Sequence, residues 1–233
     1  MIIAIDGPAG AGKGTLAKRL ARHYQMKFLD TGALYRAVGL QVLMAGGDPA
    51  DEATAIEAAQ ALDFDFKHMG DNVFHAFIGG EDIESKLRTN DVGAAASQVS
   101  AYPAVRTALK DFQLNFIADA RQNKGAILDG RDIGTIICPD AEVKFFLEAD
   151  AKIRAERRFK ESQEKGLNED FDAIHKQIIE RDARDRNRKD APLIPADDAM
   201  IIDTSTMNAD AVFDYACNAV SKAQSAKNAK EAV

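Results

Sequence analysis

Four short runs of apolar residues, rich in branched aliphatic side chains, recur along the chain. Each run is continuous rather than alternating, which is typical of a strand that is buried on both faces of a parallel sheet. The runs therefore predict four strands of such a sheet. They occupy residues 2–5, 126–128, 143–147 and 200–202.

Between these runs, the apolar positions recur every three or four residues, as on one face of a helix. In the first such stretch, Leu16, Leu20 and Tyr24 set a stripe from which Lys18 and Arg22 point away. Strands that alternate with helices predict an α/β fold, here a three-layer α/β/α core with a parallel sheet. The predicted helices span residues 13–24, 103–122, 151–165, 171–188 and 209–222.

One segment has a different period. Residues 62–67 and 73–78 alternate between apolar and polar positions, with turn-forming residues at 70–72 and 79–80. Alternation with a period of two predicts antiparallel strands joined by tight turns. We therefore expect a small antiparallel β insert domain at 63–88.

The insert divides the rest of the chain. It leaves a discontinuous core of residues 1–62 and 89–225. Two domains, the smaller inserted into the larger, fit a length of 233 residues. Residues 226–233 are rich in alanine and lysine, and we expect this tail to fray, as chain ends often do.

Composition narrows the class of protein. Hydrophobic residues form 46% of the chain, so its core needs no metal or disulfide to support it. The 30 basic and 37 acidic residues give a formal net charge of −7, which argues against a nucleic acid polymer as the main partner. The two cysteines are far apart, no apolar run is long enough to span a membrane, and no basic leader precedes the first strand. We therefore expect a cytoplasmic protein with no membrane partner.

A glycine-rich loop, GPAGAGKGT at residues 7–15, joins the first predicted strand to the first predicted helix. Its glycines let successive N–H groups turn inward, the helix dipole adds partial positive charge, and Lys13 adds a full one. The alternative is a merely tight connection, which needs neither four glycines nor a lysine. The loop therefore predicts a phosphate-binding site.

Two oxygen donors near this loop are candidate Mg²⁺ ligands, in part through water. The usual phosphate-loop pattern places Ser or Thr directly after the lysine, but here Gly14 takes that place and Thr15 follows, so direct ligation by Thr15 stays open. Asp129 ends a predicted strand that would lie beside the loop, where it could hold Mg²⁺ or its waters. Any strand can also end in Asp at a turn.

The fourth predicted helix carries charges on the side that should face the core. Ile174 and Ile178 set its buried stripe, and charged residues continue that stripe. These charged residues are Arg181, Asp185 and Arg188. Arg184 lies at the edge of the face, whereas Asp182 and Arg186 point off it. Inward guanidinium groups need anions and suit bidentate recognition of phosphate, although a solvated face with Arg–Asp pairs remains the alternative.

Two shorter segments each combine a hydroxyl group with an arginine around a helix start. Thr31 and Arg36 fit either an N-cap with a surface arginine or a second phosphate site. Ser97 and Arg106 fit a capped turn as well as they fit a binding site. The residues alone leave both questions open. The four histidines show no metal-ligand spacing, and we assign them no site.

The motifs together resemble those of the bacterial cytidylate kinases. The segments that carry the resemblance are, in chain order, GPAGAGKGT, DTGALYR, ASQVSAYPAVR, LDGRDIGT and RDARDRNRKDAPL. They lie within residues 1–222, and DTGALYR and RDxRDxNR are far more specific than the loop, which many kinases share. The resemblance implies a P-loop kinase core at 1–62 and 89–225, a monophosphate-binding insert at 63–88 and a short helical lid at about 155–170.

The resemblance also implies an activity and a role for particular residues. The activity is transfer of the γ-phosphate of ATP to CMP or dCMP with Mg²⁺, giving ADP and CDP or dCDP in pyrimidine nucleotide metabolism. The ATP-binding residues would be Gly7, Pro8, Ala9, Gly10, Ala11, Gly12, Lys13, Gly14, Thr15, Arg157 and Arg158. The acceptor-binding residues would be Thr31, Arg36, Ser97, Arg106, Arg131, Asp132, Arg181, Asp185 and Arg188. The catalytic residues would be Lys13, Asp129, Arg131 and Arg184.

Two other functions stay open at this point. One is another small-molecule P-loop kinase, and the other is a nucleotide-gated switch protein. A switch or a plain ATPase needs a residue that positions water, and nothing outside the loop indicates one. We expect a monomer whose partners are the small molecules ATP and CMP or dCMP.

Overall fold

The computed structural model describes residues 1–70, 74–164 and 166–231. The chain forms two compact units, one of Met1–Phe28 with Asn123–Val233 and the other of Leu29–Gln122. The strands are β1 Ile2–Asp6, β2 Lys27–Asp30, β3 Phe64–His68, β4 Phe74–Ile78, β5 Glu81–Asp82, β6 Ala126–Asp129, β7 Val143–Glu148 and β8 Met200–Asp203. The helices are α1 Lys13–Tyr24, α2 Thr31–Met44, α3 Glu52–Gln60, α4 Glu84–Leu87, α5 Asn90–Val99, α6 Pro103–Arg121, α7 Ala151–Glu164, α8 Phe171–Arg186 and α9 Ala209–Glu231. A π-helical turn spans Ile133–Ile137.

A five-stranded parallel sheet in the order β2-β6-β1-β7-β8 organises the first unit. Every residue of β1 is buried, because β6 and β7 pair with it on its two edges and helices flank the sheet. The register pairs Ile5 with Asp129 and Asp6 with Phe146, so the carboxyl ends of β1, β6 and β7 lie at one edge of the sheet. Open α/β sheets bind their ligands at this edge. The predicted fold class is confirmed.

The second unit packs helices around α2 and carries the small antiparallel sheet. Leu34, Val38 and Val42 of α2 form one core cluster with the alanines of α3 and with apolar residues of α5 and α6. The three-stranded sheet has the order β3-β4-β5, in antiparallel register. The predicted sheet therefore exists, but the compact unit around it is wider than 63–88. Residues 71–73, where we predict a turn and a strand start, lie outside the described part of the chain.

Two predicted helix ends were wrong. Helix α8 ends at Arg186, because the chain turns back after Asn187 and the Leu193 N–H donates to the Asp185 carbonyl at 2.9 Å. Helix α9 continues to Glu231 instead of ending near residue 222, because alanine, lysine and glutamate favour a helix. The expected fraying of the tail stays a prediction. The predicted end of α7 at Lys165 and the last two residues of the tail lie outside the described residues.

The pattern of apolar positions does not indicate β2, β5, α3, α4, α5 or the π-helical turn. Both cysteines, Cys138 and Cys217, are free thiols. Over the described ranges, no helix combines the length and the apolar character that a membrane crossing requires.

Candidate active site

The glycine-rich loop curls between the end of β1 and the start of α1. Gly7, Gly10 and Gly12 have φ angles of +142°, +79° and +89°, which L side chains rarely adopt. A Cβ at Gly7 would also lie 2.0 Å from the Leu147 carbonyl oxygen. Both the φ angle and this clash therefore exclude a side chain at position 7. Backbone N–H groups and the positive end of α1 meet in this loop, which is the arrangement that binds phosphate.

Lys13, the first residue of α1, is buried within this loop, with 6% of its surface exposed. Its Nζ donates to the Pro8 carbonyl at 2.9 Å and lies 3.8 Å from Oδ1 of Asp129. Burial and repulsion from Arg131 lower the pKa of Lys13 to about 8, although Asp129 acts in the opposite direction. The loop therefore holds a desolvated cation, which can interact strongly with an anionic ligand.

The residues beside Lys13 could also hold a divalent cation together with phosphate. Asp129 lies close to Gly14, where a Cβ would be 3.3 Å from its Oδ2, and Thr15 is exposed on the first turn of α1. Hard oxygen donors such as these suit Mg²⁺, which keeps several waters and binds substrate phosphates rather than a full set of protein ligands. The described residues contain no group of three or more acidic, histidine or cysteine side chains arranged to hold a metal.

Three arginines converge on one buried carboxylate, that of Asp185 on α8. Arg131 Nε lies 3.1 Å from its Oδ2, and Arg188 Nη2 lies 3.7 Å from its Oδ1. Burial opposes ionisation of Asp185, but attraction to Arg131, Arg181 and Arg188 outweighs it and holds the pKa of this carboxyl below its usual range. Guanidinium groups gathered at one place suit the bidentate recognition of an anionic ligand such as phosphate.

Asp185 is buried, as the predicted stripe on α8 requires, but the prediction for Asp182 was wrong. Asp182, expected to point off the face, is buried and pairs with Arg154 of α7 at 2.5 Å between Oδ2 and Nη2. Arg154 Nη1 also donates to the Ala9 carbonyl in the phosphate loop at 3.0 Å. Arg154 was not predicted from the sequence. Its partner Asp182 follows Ile174 and Ile178 at four-residue spacing, and this spacing could have indicated that Asp182 is buried.

The other arginines of α7 and α8 have different surroundings. Arg157 donates from Nη1 to the Thr204 hydroxyl at 3.2 Å, and that hydroxyl donates to the Ala11 carbonyl of the loop at 3.1 Å. Arg158 is half-buried, and Arg184 is exposed on α8. Arg157 is therefore linked to the glycine-rich loop through the Thr204 hydroxyl.

The second unit contains four of the predicted acceptor-binding residues, which lie on α2, α5 and α6. Thr31 is buried as the first residue of α2, but Asp30 caps this helix, so Thr31 is not the N-cap. Arg36 donates from Nη1 to the Leu87 carbonyl at 2.7 Å. Ser97 and Arg106 are both buried, with 3% and 7% of their surfaces exposed.

Gly93 sets how closely α5 approaches the Arg36 side chain. A Cβ at Gly93 would lie 3.2 Å from Arg36 Nη1 and 3.3 Å from Nη2. The Arg106 guanidinium lies over the Tyr35 ring, 5.6 Å from its centroid. Thr31, Arg36, Ser97 and Arg106 thus all belong to this unit. Hydroxyl and guanidinium groups suit an anionic, hydrogen-bonding ligand.

Comparison with known proteins gives one consistent family. A family model described as cytidylate kinase matches residues 3–222 of this chain. A protein named cytidylate kinase from Paramagnetospirillum magneticum is 50% identical over 212 residues, which cover 91% of this chain and 93% of that protein. Its counterpart from Rhodopseudomonas palustris is 50% identical over 211 residues, covering 89% and 90%. That from Mannheimia succiniciproducens is 45% identical over 212 residues, covering 91% and 92%.

Proposed function

The chain belongs to the cytidylate kinase family, and from this premise we infer that it transfers the γ-phosphate of ATP to CMP or dCMP. It is an ATP-dependent nucleoside monophosphate kinase, and its products are ADP and CDP or dCDP. The observation that carries the proposal is the buried Lys13 amine inside a glycine-rich loop, 3.8 Å from the Asp129 carboxylate.

The phosphate loop and Lys13 bind the phosphates of ATP. The loop N–H groups and the α1 dipole stabilise the bound anion, and Lys13 stabilises the charge that moves toward the leaving oxygen. Arg157 and Arg158 belong to the donor side as well. The contact of Arg157 with Thr204, and of Thr204 with the loop carbonyl of Ala11, supports this assignment.

Mg²⁺ fits the donor side, with Asp129 and Thr15 as the residues that would hold it, in part through water. When bound, Mg²⁺ neutralises the phosphate oxygens and helps to orient them. Asp129 also keeps the Lys13 amine in place, because the two side chains attract each other at 3.8 Å. The site therefore orients the donor phosphates with side chains that need not change their protonation.

The assigned polar and basic side chains each act on a different part of CMP. Thr31, Arg36 and Arg131 bind the acceptor phosphate, and Arg181 with Asp185 faces the ribose. The residues that read the cytosine edge are Ser97, Arg106, Asp132 and Arg188. Burial of Ser97, Arg106 and Asp132 supports the assignment, because a buried polar group that loses its ligand partner is costly and so discriminates between bases.

The reaction needs positioning and charge more than proton transfer. An oxygen of the CMP phosphate attacks the γ-phosphorus of ATP, and the bond from that phosphorus to the bridging oxygen of ADP breaks in line with the attack. Because the acceptor phosphate is already ionised near neutral pH, with a second pKa of about 6, no general base is required. Lys13, Arg131 and Arg184 neutralise the charge on the transferred group.

The test is a coupled assay of ADP release with ATP and Mg²⁺, with and without CMP, together with ³¹P NMR detection of CDP. Release of ADP that depends on added CMP and matches the CDP formed supports the kinase. ADP release at the same rate without any monophosphate would instead indicate a nucleotide switch or an ATPase. Failure of CMP together with efficient use of another small acceptor would indicate a different P-loop kinase.

We also propose that the protein acts in the cytoplasm as a monomer, with ATP and CMP or dCMP as its small-molecule partners and with neither nucleic acid polymers nor membranes among them. Its formal net charge of −7 and its two free thiols support this. Light scattering on a size-exclusion column gives the mass in solution. A mass near 25.3 kDa is expected, and twice that value would contradict the monomer.

A further inference from the structure

The segment between β6 and the π-helical turn is fastened at both of its ends to the carboxyl end of β1. The Gly130 N–H donates to the Ile5 carbonyl at 3.0 Å. Beyond the segment, the Ile133 N–H donates to Oδ1 of Asp6 at 2.9 Å and the Gly134 N–H to Oδ2 of the same carboxylate at 2.8 Å. Asp6 thus receives one backbone hydrogen bond on each of its two oxygens.

Only Arg131 and Asp132 lie between these two attachments. The backbone of Asp132 is also committed, because its carbonyl accepts from the N–H groups of Ile136 and Ile137 at 2.9 and 3.2 Å. A short loop that is held at both ends has few conformations left. The anchors therefore fix the backbone from which the Arg131 and Asp132 side chains project, and Asp6 is the side-chain anchor.

We propose that Asp6 is a positioning residue that presents Arg131 and Asp132 to the acceptor nucleotide. The inference rests on the proposed function, which places both of those residues on CMP. Asp6 itself need not touch either substrate. It acts through the two peptide N–H groups that it holds.

The chemistry of the anchor favours a carboxylate over any other side chain. Two N–H groups approach two separate oxygens, so an amide would turn its own NH₂ toward one of the donors and lose that bond. Asp6 is buried, with 5% of its surface exposed, and a carboxylate in such a place requires hydrogen bonds or a counter-charge. Burial, together with repulsion from Asp132, raises the pKa of Asp6 to about 7, although the hydrogen bonds from Gly134 and Ile133 and the nearby Lys13 favour its charged form.

The close packing around Asp6 and Gly134 also supports this role. A Cβ at Gly134 would lie 3.1 Å from the Lys144 Cδ and 3.4 Å from Oδ2 of Asp6. Lys144 has little room to yield, since its amine donates to the Pro139 carbonyl at 2.6 Å and pairs with Asp198 at 2.7 Å. A glycine at 134 lets the peptide N–H come close enough to bond to the carboxylate.

Two variants test the proposal with a matched control. Asp6→Asn keeps the size of the side chain but removes one acceptor, and Gly134→Ala keeps the carboxylate but pushes the Gly134 peptide away from it. Asp203→Asn is the control, because Asp203 also ends a strand of this sheet and accepts a backbone N–H, that of Ser205 at 2.8 Å, yet is exposed. Unfolding curves first establish that each variant is folded.

The expected result has a kinetic and a structural part. In Asp6→Asn, the KM for CMP rises about 10-fold or more and kcat falls, while the affinity for ATP changes by less than about 3-fold. Gly134→Ala changes the same quantities in the same direction by a smaller factor. Amide hydrogen exchange at 133 and 134, measured without substrates, becomes faster in both variants. Asp203→Asn behaves as the parent in each measurement.

Two outcomes overturn the proposal. One is a folded Asp6→Asn variant with the parent's KM for CMP and the parent's exchange rates at 133 and 134. The other is an equal loss of affinity for ATP and for CMP, which would make Asp6 a general support of the fold. If Asp6→Asn does not fold, Gly134→Ala decides by the same criteria. Failure of the proposed function itself would show differently, as a parent protein that makes no CDP while the exchange rates still report the anchor.

Discussion

Arg154 and Asp182 form a buried, two-contact ion pair between α7 and α8, with Nη1 3.1 Å from Oδ1 and Nη2 2.5 Å from Oδ2. Two further donors of Arg154 are used as well, since Nε donates to the Ala149 carbonyl and Nη1 also donates to the Ala9 carbonyl of the glycine-rich loop. The pair therefore links two helices to the loop that is proposed to bind the donor phosphates. Loss of one partner leaves the other charge buried without compensation.

The first prediction concerns this pair. Asp182→Asn should lower the free energy of unfolding by about 3–5 kcal/mol, which is typical when one partner of a buried pair is removed, and should raise the KM for ATP. Urea unfolding and steady-state kinetics measure the two effects. Glu180→Gln is the control, because its pair with Lys176 on the same helix is exposed and 3.9 Å long, and it should change stability by less than about 0.5 kcal/mol. Equal effects of the two substitutions would contradict the role of the buried pair.

The second prediction concerns Lys13. Lys13→Met should reduce kcat by at least about 100-fold, because the lost charge is needed more in the transition state than in the ground state. The fold should survive, since removal of a buried, desolvated cation leaves an apolar side chain of similar length. Lys18→Met, on the exposed side of the same helix, should keep the parent's kcat. Circular dichroism and thermal melting check the fold, and a Lys13→Met variant with more than half of the parent's kcat would contradict the assignment.

The third prediction is a pH dependence with a definite sign. The pKa of Lys13 lies at about 8 in the protein without ligand, so the free enzyme loses this positive charge as the pH rises above that value. The kcat/KM for ATP should therefore fall above pH 8, by up to 10-fold per pH unit. The kcat should fall less, because bound phosphates favour the charged amine. In Lys13→Arg, the residual kcat/KM should lack this decline up to pH 10, since a guanidinium stays protonated. The same decline in that variant would assign it to another group.

The fourth prediction separates the two substrates. Asp185→Asn should raise the KM for CMP about 10-fold or more and change the KM for ATP by less than about 3-fold, because the carboxylate that three arginines share is proposed to face the acceptor ribose. The preference for CMP over dCMP should also shrink. Asp172→Asn, exposed on the first turn of the same helix, is the control. Equal changes in both KM values would favour a structural role for Asp185.

The sequence predicts the features that depend on neighbours along the chain. The phosphate loop, the start of α1 and the strands that end in Asp129 and Asp203 all follow from local patterns of glycine, charge and continuous apolar residues. Strand β2 is harder to recognise, because it has four residues and only two of them are buried. Helices α3 and α5 bury mainly alanine and other small residues, which give weak periodic signals.

The charged residues of α8 show which burial can be predicted from neighbouring sequence positions and which cannot. Asp185 lies in the middle of the stripe that Ile174 and Ile178 define, and its burial follows from the helical period. Asp182 lies at the edge of that stripe, and its burial depends on Arg154, which is 28 residues away in the sequence. The anchor at Asp6 is more distant still, since it holds N–H groups 127 and 128 residues later. Contacts between residues this far apart in the sequence are set by tertiary packing.

The most direct test of the account is the kcat/KM of the parent protein for a panel of acceptors, namely CMP, dCMP, UMP, AMP and GMP, each with ATP and Mg²⁺. Arg106, Asp132 and Arg188 are proposed to hydrogen-bond to the cytosine edge, and a purine would leave these groups without their partners. We predict that CMP and dCMP are the best acceptors, ahead of AMP and GMP by at least about 100-fold. A higher kcat/KM for AMP or GMP than for CMP would contradict it.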